Sequence, residues 1–129
     1  MLLTRTTPLF VVDAIEPALG FWKDTLGYQV VAEVPHEEKL GFVLLVRDGH
    51  EVMFQTHASV RADLGPLDPA PSALYYTNVT SLDEALAAVR AAGATVIVGP
   101  RTTFYGAKEI FVRDASGTIV AFAEHAEHG

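Results

Sequence analysis

Residues 45–49, Leu-Val-Arg-Asp-Gly, recur later in the chain as residues 111–117, Phe-Val-Arg-Asp-Ala-Ser-Gly. The two stretches are 66 positions apart (45 to 111), and Gly27–Val31 and Gly93–Ile97 have the same separation (27 to 93). Each acidic turn leads into a short apolar run. Similarity at a constant separation indicates two copies of one structural unit.

Hydrophobic spacing predicts the same order of elements in both copies: one strand, one helix and three strands. In the first copy we expect a strand at residues 9–12 and a helix from an Asp13 cap, with Glu16 completing a capping box, to Gly27. We expect its later strands at residues 29–34, 41–47 and 52–56. In the second copy we expect a helix at residues 82–92, capped by Ser81. We expect its strands at residues 74–79, 95–98, 109–113 and 118–124.

The proline-rich stretch between the copies predicts a linker. We therefore expect one domain over residues 1–129, with a first module at about 1–63, a linker at 64–72 and a second module at about 73–124. The fold class is α+β: two βαβββ repeats whose mixed sheets form a curved cup, with space for a small ligand. The loop at residues 99–108, which contains Pro100 and Gly106, is a candidate lid.

Composition excludes several classes of function. Of 129 residues half are hydrophobic, none is cysteine, and the net charge is −7. Disulfides and thiolate sites are therefore excluded, and an acidic surface disfavours nucleic acid. No apolar run is long enough to span a membrane, and residues 1–7 lack the pattern of a signal peptide. We expect a cytoplasmic protein with no nucleic-acid or membrane partner.

Two tracts carry a family resemblance. Val11–Asp13 and Ala18–Tyr28 give a strand, an acidic residue and a helix that ends in an aromatic pair and Leu-Gly-Tyr, while Tyr105–Gly117 gives aromatic-Gly, a glutamate and an Asp-containing turn. The chain resembles the glyoxalase/bleomycin resistance protein/dioxygenase (vicinal-oxygen-chelate) superfamily. That superfamily contains isomerases, dioxygenases, thiol transferases and antibiotic-sequestering proteins. The resemblance implies the cup-shaped fold and a homodimer.

The resemblance also identifies where metal-using members hold a divalent cation. The corresponding positions here are Thr6, Met53, Leu74 and Ala121, and none is a good ligand for such a cation. We therefore expect no metal and no other cofactor, as in metal-free members similar to bleomycin-resistance proteins. A metal held by shifted ligands stays open, with Glu51 or Gln55, Glu109 and His125 as the available groups.

Alternation along the strands predicts which side chains face the cup. If Met53 points inward, Glu51 and Gln55 do so as well, and the same rule turns Thr6, Pro8 and Phe10 inward. Tyr105 lies on the candidate lid. The candidate ligand-binding residues are Phe10, Glu51, Met53, Gln55, Tyr76, Asn78, Tyr105, Glu109 and Phe111. Glu109 is the best candidate for a general base, and the competing interpretation pairs it with Lys108 or Arg101.

Two functions compete on this basis. The first is a binding protein that sequesters a small aromatic molecule, including cationic ones, in an apolar cup without a metal. The alternative is a metal-dependent lyase, isomerase or dioxygenase of glyoxalase type, with Glu109 or Glu51 as the base. Whether the protein is an enzyme is therefore open at this point. A purely structural module has no specific support in the sequence.

Overall fold

The chain forms two compact units in the computed structural model, which describes residues 1–126. The first unit is Thr7–Ala73. The second unit combines Met1–Thr6 with the chain from Leu74 onward. No helix in residues 1–126 is long and apolar enough to cross a membrane.

The first unit consists of four strands and three helical segments. Its elements are β1 (Leu3–Val12, whose first residues belong to the second unit), α1 (Glu16–Leu19), a π-helical segment (Gly20–Thr25), β2 (Gln29–His36), β3 (Lys39–Arg47), β4 (His50–Thr56) and α2 (His57–Leu64). The strand order is β2-β3-β4-β1. Strands β1 and β4 are parallel, and the other neighbours are antiparallel.

The second unit repeats this plan. Its elements are β5 (Ala73–Val79), α3 (Leu82–Ala91), β6 (Thr95–Thr102), β7 (Ala107–Arg113) and β8 (Ile119–His125). The strand order is β6-β7-β8-β5, with β5 parallel to β8. The two orders are equivalent, so the predicted α+β class and the two βαβββ repeats are confirmed.

Each unit has its own core between sheet and helix. In the first unit it consists of Ile15, Val43, Leu45, Val52 and Phe54. In the second unit it consists of Leu82, Val89, Ile110 and Val112. Alternate residues of the strands supply these side chains, as expected for sheets with one face against a helix.

One of the two predicted helix caps is wrong. The first helix begins after Ile15 without a side-chain cap, and Asp13 is exposed. Glu16 instead accepts a hydrogen bond from the backbone N–H of Leu40 at 3.2 Å, because β3 lies within reach of its carboxylate. The cap at Ser81 is confirmed, since its hydroxyl accepts from the N–H of Glu84 at 3.2 Å.

Two connections also differ from the prediction. Helix α2 precedes the linker and was not predicted, although Thr56 caps it by accepting from the N–H of Ser59 at 3.1 Å. The prediction of a long loop at residues 99–108, the candidate lid, is wrong. Strands β6 and β7 extend into it and leave residues 103–106 as a short turn.

Gly99 is required by close packing of backbone against backbone. A Cβ atom there would lie 2.5 Å from the carbonyl oxygen of Glu109, and φ is +91°. Gly117 has φ +90° with no atom within 4 Å of its Cβ position, so it is a matched control. We expect Gly117→Ala to lower the free energy of unfolding by about 1 kcal/mol and Gly99→Ala by about 3 kcal/mol. Urea denaturation measures both, and equal losses would contradict the close approach.

Candidate functional site

The strand register of the second unit brings predicted site residues onto one face. Asn78 is paired with Ala123, which is paired with Glu109, and Tyr76 is paired with Ala121, which is paired with Phe111. Ile110 and Val112, which alternate with these residues in β7, pack in the core beside α3. The predicted face of β5, β7 and β8 is therefore confirmed, while its role in binding stays a prediction.

Glu109 is the centre of a buried polar network on this face. Its side chain has no exposed surface. The hydroxyls of Tyr76 and Tyr105 both donate to its Oε2 atom. The guanidinium of Arg101 donates to its Oε1 atom from Nη2 at 3.0 Å and from Nε at 3.3 Å.

The four donor atoms of Tyr76, Tyr105 and Arg101 use all the acceptor sites of the Glu109 carboxylate. A carboxylate offers about four lone-pair sites, and two donors lie on each oxygen. Glu109 therefore has no free acceptor site with which to take a proton from a substrate or to bind a cation. Of the two interpretations from the sequence, the arrangement matches the ion pair with Arg101 and not the general base.

The tyrosines are neutral donors in this network. Burial raises the pKa of Tyr76, and so do its hydrogen bond to Glu109 and the charge of that carboxylate. The pKa of Tyr105 is raised by the same causes in the same order. A phenolate beside a buried carboxylate would place two negative charges together, so both hydroxyls keep their protons.

Phe111 packs against the cation of the network. It is buried, and the guanidinium carbon of Arg101 lies 5.3 Å from the centre of its ring. The ring face attracts the cation, which helps to keep the guanidinium beside Glu109. Phe111 therefore supports the network, and its predicted contact with a ligand stays a prediction.

A cavity of about 500 Å³ opens beside the network in the second unit. Its lining residues are Thr4, Asn78, Val79, Thr80, Glu124, His125 and Ala126. The Oδ1 atom of Asn78 is buried and has no hydrogen-bond partner in residues 1–126. A buried acceptor without a partner costs about 1–3 kcal/mol, and this atom has almost no surface open to the cavity.

The polar candidates of the first unit have local partners. Glu51 accepts a hydrogen bond from Thr7 Oγ1 at 2.9 Å, and Gln55 donates from Nε2 to Ser59 Oγ at 3.0 Å. Met53 is half-buried and is paired with Leu9 across the parallel strands. These residues share one face of β4, as the alternation predicted, and their contact with a ligand stays a prediction.

The predicted orientation of Phe10 is wrong. Its ring lies 5.5 Å from that of Phe54 and 6.4 Å from that of Trp22, in the aromatic part of the helix-side core. The cause is the register of β1 against β4, which pairs Phe10 with Phe54. Thr7 and Leu9 therefore share the face of Glu51 and Met53, one residue out of step with the prediction.

The residues at the superfamily's metal positions do not fit a divalent cation. Leu74 and Ala121 are buried and carry no donor atom, and Met53 offers only a thioether. Thr6, which was predicted to face inward with Met53, lies with Phe10 on the opposite face of β1, and its Oγ1 atom shares a hydrogen bond of 3.2 Å with Thr77 Oγ1. Within residues 1–126 no group of three or more His, Asp or Glu side chains is arranged to hold a metal ion.

Sequence reasoning left two parts of this site incomplete. It offered both Lys108 and Arg101 as partners of Glu109, and the register of β6 against β7, which pairs Arg101 with Glu109, decides between them. The ring of His125 lies 6.2 Å from that of Tyr76 and 6.3 Å from that of Tyr105. No pattern in the sequence pointed to His125 as a neighbour of both.

A comparison with models of known protein families identifies the family of this chain. The profile of the Glyoxalase/Bleomycin resistance protein/Dioxygenase superfamily matches residues 4–122. The chain belongs to this superfamily. No curated protein matches the sequence.

Several solved structures share this fold at low sequence identity. A superfamily member from Vibrio splendidus 12B01 is 21% identical, with a TM-score of 0.69 and coverage of 95% of this chain and 99% of that one. Methylmalonyl-CoA epimerase from Mycobacterium tuberculosis is 22% identical, with a TM-score of 0.70 and coverage of 97% and 88%. A Streptomyces coelicolor methylmalonyl-CoA epimerase variant in complex with 2-nitronate-propionyl-CoA is 18% identical, with a TM-score of 0.65 and coverage of 98% and 100%. At this identity the likeness concerns the fold alone.

The raised pKa of Tyr76 predicts a loss of stability in alkali. Above pH about 10 an unfolded tyrosine loses its proton whereas folded Tyr76 keeps it, so unfolding becomes more favourable as pH rises. Tyr76 contributes a slope of about 1.4 kcal/mol per pH unit, present until its raised folded pKa is reached. Urea denaturation in a series from neutral pH to about pH 11 should therefore show a shallower decline above about pH 10 for Tyr76→Phe than for the wild type. Tyr75→Phe, a change of the exposed neighbour, should decline as the wild type does, and equal slopes for all three would contradict the buried network.

Proposed function

We propose that this member of the glyoxalase superfamily binds and sequesters a small organic molecule without a metal ion, at the cavity of the second unit. The observation that carries the proposal is the cavity itself, whose wall combines the polar residues Asn78, Glu124 and His125 with the apolar residues Val79 and Ala126. Polar groups in such a wall orient a bound molecule by hydrogen bonds, and the apolar groups cover its carbon atoms. The cavity volume lies in the range of small-molecule sites.

The state of Glu109 supports binding over catalysis. Proton abstraction needs a carboxylate with a free lone pair in contact with the substrate. All the acceptor capacity of Glu109 is used by Tyr76, Tyr105 and Arg101. Glu109 therefore does not support the alternative function, a metal-dependent lyase, isomerase or dioxygenase. The residues at the superfamily's metal positions, Thr6, Met53, Leu74 and Ala121, do not support it either, because none is a good ligand for a divalent cation. The likeness to methylmalonyl-CoA epimerases lies in the fold and supplies no residue for that chemistry.

Charge leaves both neutral and cationic ligands as candidates, as the acidic composition suggested. Arg101 neutralises Glu109 within the network. Glu124 lines the cavity, and the backbone N–H of Leu82 that donates to its Oε1 atom at 2.8 Å carries no charge to neutralise it. The homodimer, the cytoplasmic location and the absence of a nucleic-acid partner stay predictions.

The test is a fragment screen in the presence of a chelator. Protein dialysed against EDTA is screened by ligand-observed NMR with neutral and cationic fragments that carry an amide or hydroxyl group. We expect fragments to bind without added metal, and Asn78→Leu to weaken them about tenfold because a polar side chain of the cavity wall is lost. Urea denaturation checks that Asn78→Leu is folded. Binding that disappears with EDTA and returns with a divalent cation would overturn the proposal.

A further inference from the structure

We infer that the cavity of the second unit binds a primary ammonium group on an apolar skeleton, with the carboxylate of Glu124 as the counter-ion. This inference rests on the proposed function, because it names the class of molecule that the cavity takes. Glu124 brings to the cavity wall a carboxylate that has one open oxygen and no ion-pair partner within residues 1–126.

The carboxylate of Glu124 is held at one oxygen and open at the other. Its Oε1 atom accepts a hydrogen bond from the backbone N–H of Leu82 at 2.8 Å. Its Oε2 atom has no hydrogen-bond partner in the described chain, and it is not enclosed either, because Asn78 Oδ1 is the only enclosed side-chain oxygen or nitrogen without a partner in residues 1–126. The bond to Leu82 therefore fixes the carboxylate and leaves Oε2 accessible to a bound molecule.

The sheet places this carboxylate at the cavity. Strands β5 and β8 are parallel, so their carboxyl ends meet at the same edge of the sheet. The last residues of both strands line the cavity there, together with Thr4 of β1. Glu124 is half-buried in this wall, which lowers the dielectric around its charge and strengthens its attraction for a cation.

No fixed positive charge neutralises Glu124. None of the lining residues in the described chain is Lys or Arg, and His125 is charged only when protonated. Lys108 is opposite Glu124 in the register of β7 and β8, yet the two form no ion pair in residues 1–126. The ammonium group of Met1 is paired with Glu84. The charge of Glu124 is therefore available to a cationic ligand.

The other polar groups favour a primary ammonium over a quaternary one. A primary ammonium offers three donors and no acceptor. The hydroxyl of Thr4 donates to the carbonyl of Asn78 at 3.4 Å, which leaves the lone pairs of its oxygen for a further donor. Quaternary ammonium groups are held by aromatic faces, and His125 is the one lining residue in the described chain that has a ring.

The cavity has room for a carbon skeleton behind the ammonium group. Its volume of about 500 Å³ far exceeds that of an ammonium ion. Val79 and Ala126 supply apolar surface in the same wall. A ligand that carries both an ammonium group and a small hydrocarbon body therefore matches the wall, whereas an inorganic cation matches only Glu124.

Three related probes separate charge from hydrogen bonding. Cyclohexylmethylamine is a primary ammonium ion near neutral pH, its N,N,N-trimethyl derivative keeps the charge without donors, and cyclohexylmethanol is neutral. Each is titrated into the ¹⁵N-labelled full chain after dialysis against EDTA, at low ionic strength and about pH 7.5, which limits protonation of histidine. We expect the amine to bind about fivefold more tightly than the alcohol and about threefold more tightly than the trimethyl derivative.

Backbone amide shifts locate the bound amine. The N–H of Leu82 donates to Glu124, so its signal should move with those of Val79 and Ala126. The signals of Val43 and Leu45, which are buried in the core of the first unit, should stay in place. Added sodium chloride should weaken the amine and leave the alcohol unchanged, because salt screens only the charged interaction.

Matched variants assign the charge to one residue. Glu124→Gln keeps an oxygen that can accept from Leu82 but loses the charge, so it should bind the amine about fivefold more weakly and no better than the alcohol. Asp83→Asn changes the net charge equally at an exposed residue outside the cavity wall and should bind as the wild type does. Lys108→Gln removes the nearest competing cation across the strands and should tighten the amine about twofold.

The outcomes distinguish this inference from the proposed function. Equal binding of amine and alcohol, an equal loss in Glu124→Gln and Asp83→Asn, or amine binding only in Lys108→Gln would overturn the ammonium inference while metal-free binding of the alcohol stands. If none of the three probes shifts the cavity residues, both are overturned. Binding that requires a divalent cation would overturn the proposed function itself.

Discussion

The negative charge of Glu109 has no exposed surface, so the second unit can fold only if other side chains replace the lost water. An isolated buried carboxylate is strongly unfavourable, and removal of one partner from a buried ion pair costs about 3–5 kcal/mol. Tyr76, Tyr105 and Arg101 supply the donors from three separate segments of the unit. The network therefore fixes β5, β6 and the β6–β7 turn in relation to β7.

The two repeats use one topology for different chemistry. The first unit fills the space beneath its helix with packed rings, among them Phe10, Trp22 and Phe54. On the face away from its helix, the second unit has the carboxylate network, with a cavity beside it. A duplicated βαβββ unit thus keeps an apolar core against its helix in both copies, while the second copy adds a buried polar network on the opposite face of its sheet.

The sequence predicted the fold well because the repeat is carried by local signals, such as the Arg-Asp turns and the Ser81 cap, that need no knowledge of distant residues. The site was predicted only in part. Alternation placed Tyr76, Asn78 and Glu109 on one face correctly, since it depends only on neighbours within each strand. The face of Phe10 depends on the register of β1 against β4. The choice of Arg101 over Lys108 as the partner of Glu109 depends on the register of β6, which continues past Pro100, against β7.

The most direct test of the network is detection of the Tyr76 and Tyr105 hydroxyl protons by NMR at low temperature. A hydroxyl proton donated to a buried carboxylate exchanges slowly with water and resonates downfield of the backbone amides, because the hydrogen bond is charge-assisted. The structure predicts two such resonances in the wild type, one lost in Tyr76→Phe and the other lost in Tyr105→Phe. A wild-type spectrum without them, or one that neither substitution changes, would show that the tyrosines do not hold Glu109.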